Sequence, residues 1–370
     1  MSFQKAQTLS EIDQAVRFND AIGPEHAFYT EFSDLRGDFE EKLVYKNLNT
    51  RLENREYVFD PEVNSANKTL LFLGGMRGTG KTTELAKYAQ RLSHPRGFLC
   101  VTCNIDEGLN ISNLEYMDIL IFQLERLTDE LARHKVSVDK GIIRKMEEWF
   151  TSRSEEVNRS LKGELGLQMG GGAKEEGILA NLIGIFASLK AGVTGSMERK
   201  ETVRKVLQNR FADFANIFNQ YIEEVNIAIR KKGVGQEVLF IVDGLEKTMS
   251  TQTRYKIIIE EAGYLQQIRA YTIFTLPIEL MKERATLTRF SNLEIFPFVK
   301  LYERGGAPVE RAFERFVEFV YKRIDASLFE NEGVVRKAIQ YGGGSPRELL
   351  RILELTAFYA DEEKGVLDMK

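Results

Sequence analysis

One segment, from Thr69 to Leu92, constrains the fold of this chain more than any other. It begins with the apolar run Leu70 to Leu73, whose length and composition are typical of a strand buried on both faces. A glycine-rich stretch follows. After it, apolar residues recur up to Leu92 at the spacing of an amphipathic helix. The sequence therefore predicts a buried strand, a tight loop and a helix, in that order.

The loop, residues 75–82, reads GMRGTGKT and matches G-x-x-x-x-G-K-[ST] at every fixed position. Glycines let successive backbone N–H groups close around phosphate oxygens, and the following helix directs its positive dipole end at the same anion. Lys81 would reach the β- and γ-phosphates, and the Thr82 hydroxyl would ligate Mg²⁺. The segment thus predicts a site for ATP and Mg²⁺. Its predicted phosphate-binding residues are Gly75, Arg77, Gly78, Thr79, Gly80, Lys81, Thr82 and Thr83.

Length and composition set the frame around this segment. At roughly 150 residues per domain, the 370 residues allow two or three domains, and the apolar fraction of 43% is enough for a sizeable core. The chain has 51 basic and 55 acidic residues, a net charge of −4. This charge does not indicate a nucleic-acid partner, although a local basic face is compatible with one.

The cysteines and the hydropathy pattern bear on the cellular compartment. Cys100 and Cys103 have a C-x-x-C spacing, but residues three apart on a strand point to opposite faces and no second pair completes a zinc site. We interpret them as core thiols in a reducing cytosol. The N-terminus lacks the apolar core of a signal peptide, and no run of 18 apolar residues is present. A cytoplasmic protein without a membrane span is expected.

Four further strands are predicted after the first, and helical patterns alternate with them. This alternation predicts an α/β fold, namely a three-layer P-loop NTPase domain around a five-stranded, mainly parallel sheet. Ligands bind such sheets at the carboxyl ends of the strands. The four predicted strands are Leu99–Asn104, Val238–Val242, Tyr271–Thr275 and Leu293–Phe296.

The remaining patterns divide the chain into regions. The leader contains a predicted short strand, Phe28–Phe32, and a helix from Asp38, and would either contact an adenine ring or cover a sheet edge. Three helical segments, Val309–Ile324, Gly333–Tyr341 and Ser345–Tyr359, suggest a small C-terminal lid domain. The predicted regions are a leader (1–66), an ATPase core (67–299) with a helical, glycine-rich insertion (136–232), and the lid (300–370).

The insertion carries four patterns of its own. A helical segment, Gly141–Phe150, precedes alternating apolar positions at 161–169 that suggest a hairpin or flap before a glycine hinge. The apolar helix Ile178–Leu189 is too short to span a bilayer, so burial against another helix or subunit is expected. One long amphipathic helix, Glu201–Arg230, leads back to the core. The insertion would mediate assembly or sensing, or act as a stabilising helical hairpin.

Acidic residues follow the predicted strand Val238–Val242. Asp243 would hold Mg²⁺, as the aspartate does in the second motif of such phosphate sites. Glu246 lies three residues further on and would orient or deprotonate the attacking water. The alternative for Glu246 is a solvated loop acid.

Two more polar positions are candidates. Thr275 ends the fourth strand and would hydrogen-bond the γ-phosphate or the attacking water, unless it merely ends a strand. In the lid, Ser345 is a predicted N-cap, Pro346 fits the first helical turn, and Glu348 completes a capping box. This arrangement would hold Arg347 at a helix start, ready to reach a phosphate.

Together these motifs resemble the AAA+ ATPases, most closely the origin-recognition/Cdc6-like and STAND branches. The resemblance covers residues 69–134 and 236–359. The segment Gly344–Leu349 resembles a sensor-2 motif, and Leu287–Phe290 resembles the segment that carries the arginine finger, which assigns that role to Arg289. Asp243 and Glu246 are separated by Gly244-Leu245, unlike the adjacent Asp-Glu of most AAA+ proteins and similar to the STAND pattern. That similarity implies slow turnover.

The resemblance implies several functions. The first is a homo-oligomeric ATPase in which Arg289 of one subunit completes the neighbour's site, controlling a separate effector protein, as in a bacterial antiviral defence complex. The second is a nucleotide-held scaffold with little turnover. A DNA-associated loader or regulator is a third. A small-molecule kinase is less well supported, because such kinases typically lack a Gly-Ser-Pro-Arg lid. The resemblance also implies the functions of a winged helix or repeat sensor, which we expect to lie in the insertion or in another polypeptide.

Overall fold

A computed structural model describes residues 4–62, 70–161, 178–248, 250–287, 292–360 and 365–368. Its strands are β1 (Thr50–Glu53), β2 (Glu56–Phe59), β3 (Leu70–Gly75), β4 (Phe98–Asn104), β5 (Glu237–Asp243), β6 (Tyr271–Pro277) and β7 (Asn292–Ile295). The first two form an antiparallel hairpin, and the other five form one parallel sheet in the order β4-β5-β6-β3-β7. The predicted α/β class and five-stranded sheet are confirmed.

The sheet register aligns polar residues at the ends of the strands. β4 pairs in parallel with β5 from Phe98 opposite Glu237 to Asn104 opposite Asp243. β5 in turn pairs in parallel with β6, starting at Leu239 opposite Tyr271. Nearly all of β5 and all of β6 are buried. Such apolar strands are typical of a parallel sheet covered on both faces.

The chain divides into two compact units. Unit 2 comprises residues 42–73 and 91–293 and contains most of the sheet. In this unit a π-helical turn, Lys256–Glu260, follows α10. The helices of unit 2 are α2 (Glu41–Asn47, whose first residue belongs to unit 1), α4 (Ile105–Gly108), α5 (Tyr116–Arg133), α6 (Lys140–Leu161), α7 (Ile178–Thr194), α8 (Met197–Gln208), α9 (Phe211–Lys232), α10 (Thr251–Tyr255), α11 (Ala262–Leu265) and α12 (Arg284–Leu287).

Unit 1 comprises residues 1–41, 74–90 and 294–370. The leader residues Ile12, Val16 and Phe32 share a core with the C-terminal helices, and Phe32 packs on Phe316 with ring centroids 4.6 Å apart. The three predicted C-terminal helices are confirmed. The helices of unit 1 are α1 (Ile12–Val16), α3 (Lys81–Leu92, whose last two residues belong to unit 2), α13 (Glu310–Tyr321), α14 (Glu332–Gly342) and α15 (Pro346–Phe358).

Two predicted elements are wrong. Residues 28–32 are the end of a turn followed by irregular backbone, not a strand: the Tyr29 N–H donates to the His26 carbonyl at 2.9 Å, and the Phe32 ring packs into the core of unit 1. The predicted helix Glu201–Arg230 is two helices, α8 and α9, separated at Asn209 and Arg210. The break lets the Arg204 guanidinium of α8 pair with the Asp118 carboxylate while the Phe211 ring of α9 contacts the Tyr116 ring, both partners lying on α5. Such tertiary contacts override helical periodicity.

The apolar helix of the predicted insertion packs within the chain. Leu182, Phe186, Leu189 and Val193 of α7 are buried in the core of unit 2, where α7 packs against α5, α6 and α8. Burial against helices of the same chain is therefore the alternative that the structure supports. The predicted hairpin at 161–169 and the glycine hinge lie outside the described residues, apart from Leu161.

The β1–β2 hairpin, which belongs to unit 2, packs on the sheet of that unit. Phe59 contacts Phe98 and Tyr271, the first residues of β4 and β6, with ring centroids 5.4 and 5.7 Å apart. Part of the leader thus covers the amino ends of two strands. In the described part of the chain, no helix combines the length and apolar character that crossing a membrane requires.

Candidate functional site

The 75–82 loop lies between β3 and α3, as predicted, and its backbone requires glycine. Gly78 and Gly80 have φ angles of +89° and +93°, in the left-handed region that residues with side chains rarely adopt. A Cβ atom on Gly75 would lie 2.5 Å from the Phe296 carbonyl oxygen. Glycine is therefore required at two of these positions by the loop conformation and at the third by a close backbone neighbour.

The Lys81 side chain folds back into this loop. It is only 4% exposed, and its Nζ donates to the carbonyl oxygens of Gly75 and Met76 at 3.0 and 2.9 Å. The Thr79 hydroxyl donates to the same Met76 carbonyl at 3.0 Å. Thr82 and Thr83 are half-buried in the first turn of α3. A buried ammonium group thus lies inside a tight turn at the start of a helix.

This arrangement fits the phosphates of a nucleotide. A Cβ atom at any of the three glycines would strain or crowd the turn, and glycine-rich turns of this kind can direct backbone N–H groups at an anion. The first turn of α3 supplies N–H groups and a positive dipole end. Within the described ranges, no group of three acidic, histidine or cysteine side chains is placed to hold a metal ion.

In unit 1 the start of α15 lies against the loop. The Ser345 hydroxyl accepts from the Glu348 N–H at 3.2 Å, which confirms the predicted N-cap, and donates to the Gly78 carbonyl at 3.2 Å. The second half of the predicted capping box is absent. The Glu348 carboxylate instead pairs with Arg351 at 3.3 Å, and the Ser345 N–H donates to Gly342 at 2.9 Å.

Arg347 also lies against the loop. Its Cβ would be 3.3 Å from a Cβ atom on Gly78, while its guanidinium bonds to Asn19 and lies 5.9 Å from the Phe18 ring centroid. Burial lowers the pKa of Arg347, and the positive charge of Arg77 lowers it further. The positive charges of Arg77, in the loop, and Arg347, beside it, thus lie near one another, which suits an anionic ligand.

We predict that Gly78→Ala impairs the loop more than a change of φ alone would. The added Cβ would lie 3.0 Å from Ser345 Oγ and 3.3 Å from the Arg347 Cβ. Gly343→Ala is the matched control, since Gly343 also has a positive φ, +58°, but nothing within 4 Å of an added Cβ. Both variants should lose about 1–2 kcal/mol of stability in thermal unfolding.

Only Gly78→Ala should also weaken ATP binding in titration calorimetry at a temperature where both variants are folded. Equal ATP affinity for the two variants would contradict this role of the loop conformation.

A second polar cluster lies in unit 2 at the carboxyl end of β5. Asp243 ends the strand and is 3% exposed. Gly244 follows with a φ of +93°, and a Cβ there would lie 2.9 Å from Asp106 Oδ1. This turn leads into the short 3₁₀ helix Leu245–Lys247, which carries Glu246.

Thr275 holds Glu246. The fully buried Thr275 hydroxyl donates to Glu246 Oε2 at 2.9 Å and accepts from the Gly244 N–H at 3.1 Å. These contacts fix both the carboxylate and the turn that carries it. The candidate roles of Glu246 and Thr275 were assigned separately from sequence, and the structure brings the two side chains into contact.

An ion pair beside this cluster was not predicted. Lys247 Nζ lies 2.7 Å from Asp106 Oδ2 and joins the 3₁₀ helix after β5 to α4, the helix that follows β4. Asp106 follows the predicted strand Leu99–Asn104 by two residues. A carboxylate so close to a strand end was the sequence signal that could have identified this ion pair. Cys100 and Cys103 are free thiols on β4, as expected, and burial raises the pKa of Cys100 to about 12. They take no part in this cluster.

Arg289, the arginine-finger candidate, lies outside the described residues. Helix α12 ends at Leu287, and the description resumes at Asn292.

Sequence reasoning missed Arg36, which contacts the loop within unit 1. Arg36 is 4% exposed, and its Nη2 donates to the Thr79 carbonyl at 2.9 Å. Burial lowers the pKa of Arg36 to about 10, against the opposing effect of the Glu84 carboxylate. A single arginine in a segment without periodicity gave no signal for this contact.

Comparison with known proteins adds no assignment. No model of a known protein family matches the chain, and a search of curated proteins found no significant match. The function must therefore be argued from the residues themselves.

Proposed function

We propose that this chain binds ATP with Mg²⁺ and hydrolyses it, as an AAA+/STAND-like ATPase. The observation that supports this most directly is the position of the Lys81 ammonium group inside the 75–82 loop, at the start of α3. A cation enclosed by a glycine-rich turn can neutralise the charge of phosphate oxygens that the turn binds.

The residues divide the work as follows. The loop N–H groups and Lys81 bind and orient the β- and γ-phosphates, and Thr82 and Asp243 would hold Mg²⁺, which neutralises phosphate charge when bound. We assign Mg²⁺ binding to Asp243 because it lies at the carboxyl end of a buried strand. Glu246 accepts a proton from the attacking water, and Thr275 keeps that carboxylate in place. Arg347 would neutralise phosphate charge from α15.

The contact between Thr275 and Glu246 favours an ATPase over a scaffold with little turnover. A solvated loop acid would not need a buried hydroxyl donor and a left-handed glycine to set its position. By the same resemblance, we propose that copies of the chain assemble, with Arg289 completing the neighbour's site, and that assembly controls a separate effector.

The experiment that tests hydrolysis and assembly together uses Arg289. The wild-type rate of Mg²⁺-dependent ATP hydrolysis per chain should rise with protein concentration. Arg289→Ala should bind ATP normally and hydrolyse it about 10³–10⁵-fold more slowly, the range known for arginine fingers. Arg284→Ala, a change on the preceding helix α12, is the control.

Mixing Arg289→Ala with Lys81→Met provides the decisive measurement. Sites that combine a sound loop from one variant with a sound Arg289 from the other should recover part of the activity. If the mixture co-assembles without any recovery, the site is completed within one chain.

A further inference from the structure

Arg36 is enclosed by three groups of unit 1. Besides the Thr79 carbonyl, its guanidinium donates to the Pro297 carbonyl at 2.5 Å and lies 3.8 Å from the centre of the Phe296 ring. A Cβ atom on Gly80 would lie 3.5 Å from Arg36 Nη2. The fork of the guanidinium therefore joins the 75–82 loop to the segment that follows β7.

The contact with Thr79 fixes the direction of one peptide group. In a planar trans peptide, the C=O and the next N–H point in opposite directions. Because Arg36 holds the Thr79 carbonyl on its own side, the Gly80 N–H is directed away from Arg36. The Gly78 carbonyl is held in the same way by Ser345. Two successive peptide groups of the loop are thus oriented by side chains from outside it.

The segment that carries Arg36 is itself fastened to α3. Lys87 is 1% exposed on that helix, and its Nζ donates to Ser33 Oγ at 2.5 Å and lies 3.0 Å from Glu41 Oε1 and 3.3 Å from Glu31 Oε1. Glu84, also on α3, completes this ionic cluster. Residues 31–41, here called the N-terminal brace, are therefore anchored on either side of Arg36.

The stability of this anchor is set by charge. Burial raises the pKa of Glu31, but hydrogen bonds from Ser33 and Tyr29 and the charge of Lys87 outweigh that effect and bring the pKa to about 2. Glu31 is therefore ionised at neutral pH and remains a partner for the buried Lys87 ammonium.

We infer that Arg36 is a positioning residue of the proposed nucleotide site: it orients the Thr79–Gly80 peptide toward the phosphates and so makes ATP affinity depend on docking of the N-terminal brace. This inference rests on the proposed function, because it names a regulatory input to that same site. If a partner or an adjoining segment displaced the brace, the guanidinium would leave Thr79. ATP affinity would then fall although the displacing segment does not contact the nucleotide.

A purely structural role is the alternative, and the chain contains a matched control for it. Arg323 is also 4% exposed in unit 1, donates to the Phe319 carbonyl at 2.9 Å and lies 3.8 Å from the centre of the Phe319 ring. It contacts neither the 75–82 loop nor the brace in these interactions. Arg36→Gln and Arg323→Gln remove equivalent buried guanidinium groups, only one of which reaches the loop.

The test compares ATP affinity and steady-state kinetics in wild type, Arg36→Gln, Arg36→Lys and Arg323→Gln. Both glutamine variants should lower the melting temperature. Only Arg36→Gln should weaken ATP binding and raise KM, by about 10–100-fold, the effect of losing a charge-assisted hydrogen bond. Its kcat should change far less, since Glu246 is untouched. Arg36→Lys keeps the positive charge but not the two-pronged guanidinium, so its ATP affinity should lie between those of the wild type and Arg36→Gln.

A measurement on the wild type keeps the inference testable if Arg36→Gln does not fold. Hydrogen exchange of residues 31–41 should slow when ATP is added, because loop and brace stabilise one another. Equal ATP affinity in Arg36→Gln and Arg323→Gln would overturn the inference. So would a hydrogen-exchange rate of the brace that stays the same when ATP is added. Absence of ATP binding by the wild type would instead refute the proposed function.

Discussion

Replacing Lys81 by methionine is expected to lower ATP affinity by about 100-fold or more, which places binding beyond ordinary titration. The ammonium group is the one side-chain charge enclosed by the 75–82 loop, where it now bonds to the Gly75 and Met76 carbonyls. Charge-assisted hydrogen bonds to phosphate are about twice as strong as neutral ones, and the methionine stem supplies none. Fluorescent ATP-analogue titration and calorimetry would measure the loss.

Lys200→Met is the matched control for this change. Lys200 is 3% exposed in unit 2 and donates to the Asn113 carbonyl, so it too is a buried lysine bonded to backbone. Both variants should lose some stability, but Lys200→Met should keep the wild-type ATP affinity. Unchanged affinity in Lys81→Met would remove the basis for assigning residues 75–82 to phosphate binding.

Glu246→Gln should separate hydrolysis from binding. A positioned general base contributes about 10²–10⁴ in rate, so ATP turnover should fall by that factor while ATP affinity stays at the wild-type value. Glutamine retains an oxygen that accepts from Thr275, so the turn after β5 should keep its shape. Single-turnover hydrolysis and equilibrium binding on the same samples would show the separation. Wild-type turnover in this variant would mean that another group acts as the base.

Thr275→Val tests whether Thr275 holds that base. It removes the hydroxyl that bonds to Glu246 and Gly244, and should slow hydrolysis about 10-fold, the value of one hydrogen bond to a charged group. Thr272→Val is the control, because Thr272 is buried on the same strand and its hydroxyl contacts only the Ala270 carbonyl, at 3.5 Å. If both substitutions slow hydrolysis equally, the Thr275 contact has no special role.

Local patterns predicted much of the secondary structure. The apolar run before the 75–82 loop, the run ending at Asp243 and the capped helix at Ser345 each carry their signal within a dozen residues, and all were placed correctly. The contact of Ser345 with Gly78 had no such signal, since the two residues are 267 positions apart. A local pattern cannot report a partner that only the tertiary fold supplies.

The failures have the same physical origin. The composition of residues 28–32 predicts a strand, yet Phe28 lies in a turn and Phe32 is buried in the core of unit 1 against Phe316. The break between α8 and α9 follows from contacts with α5, and the contact of Arg36 with Thr79 follows from the docking of residues 31–41. In each case the decisive free energy comes from packing between distant segments, which periodicity does not record.

The discontinuity of unit 1 along the chain affects how the protein is synthesised. Its three stretches, residues 1–41, 74–90 and 294–370, leave the ribosome at widely different times. Arg36 can meet Thr79 after 43 residues, but Ser345 emerges 267 residues after Gly78. At roughly 5–20 residues per second, that interval lasts about 10–50 s. During that interval the nascent chain carries the loop without its contact to Ser345, and the core of unit 1 is complete only after its third stretch has been made.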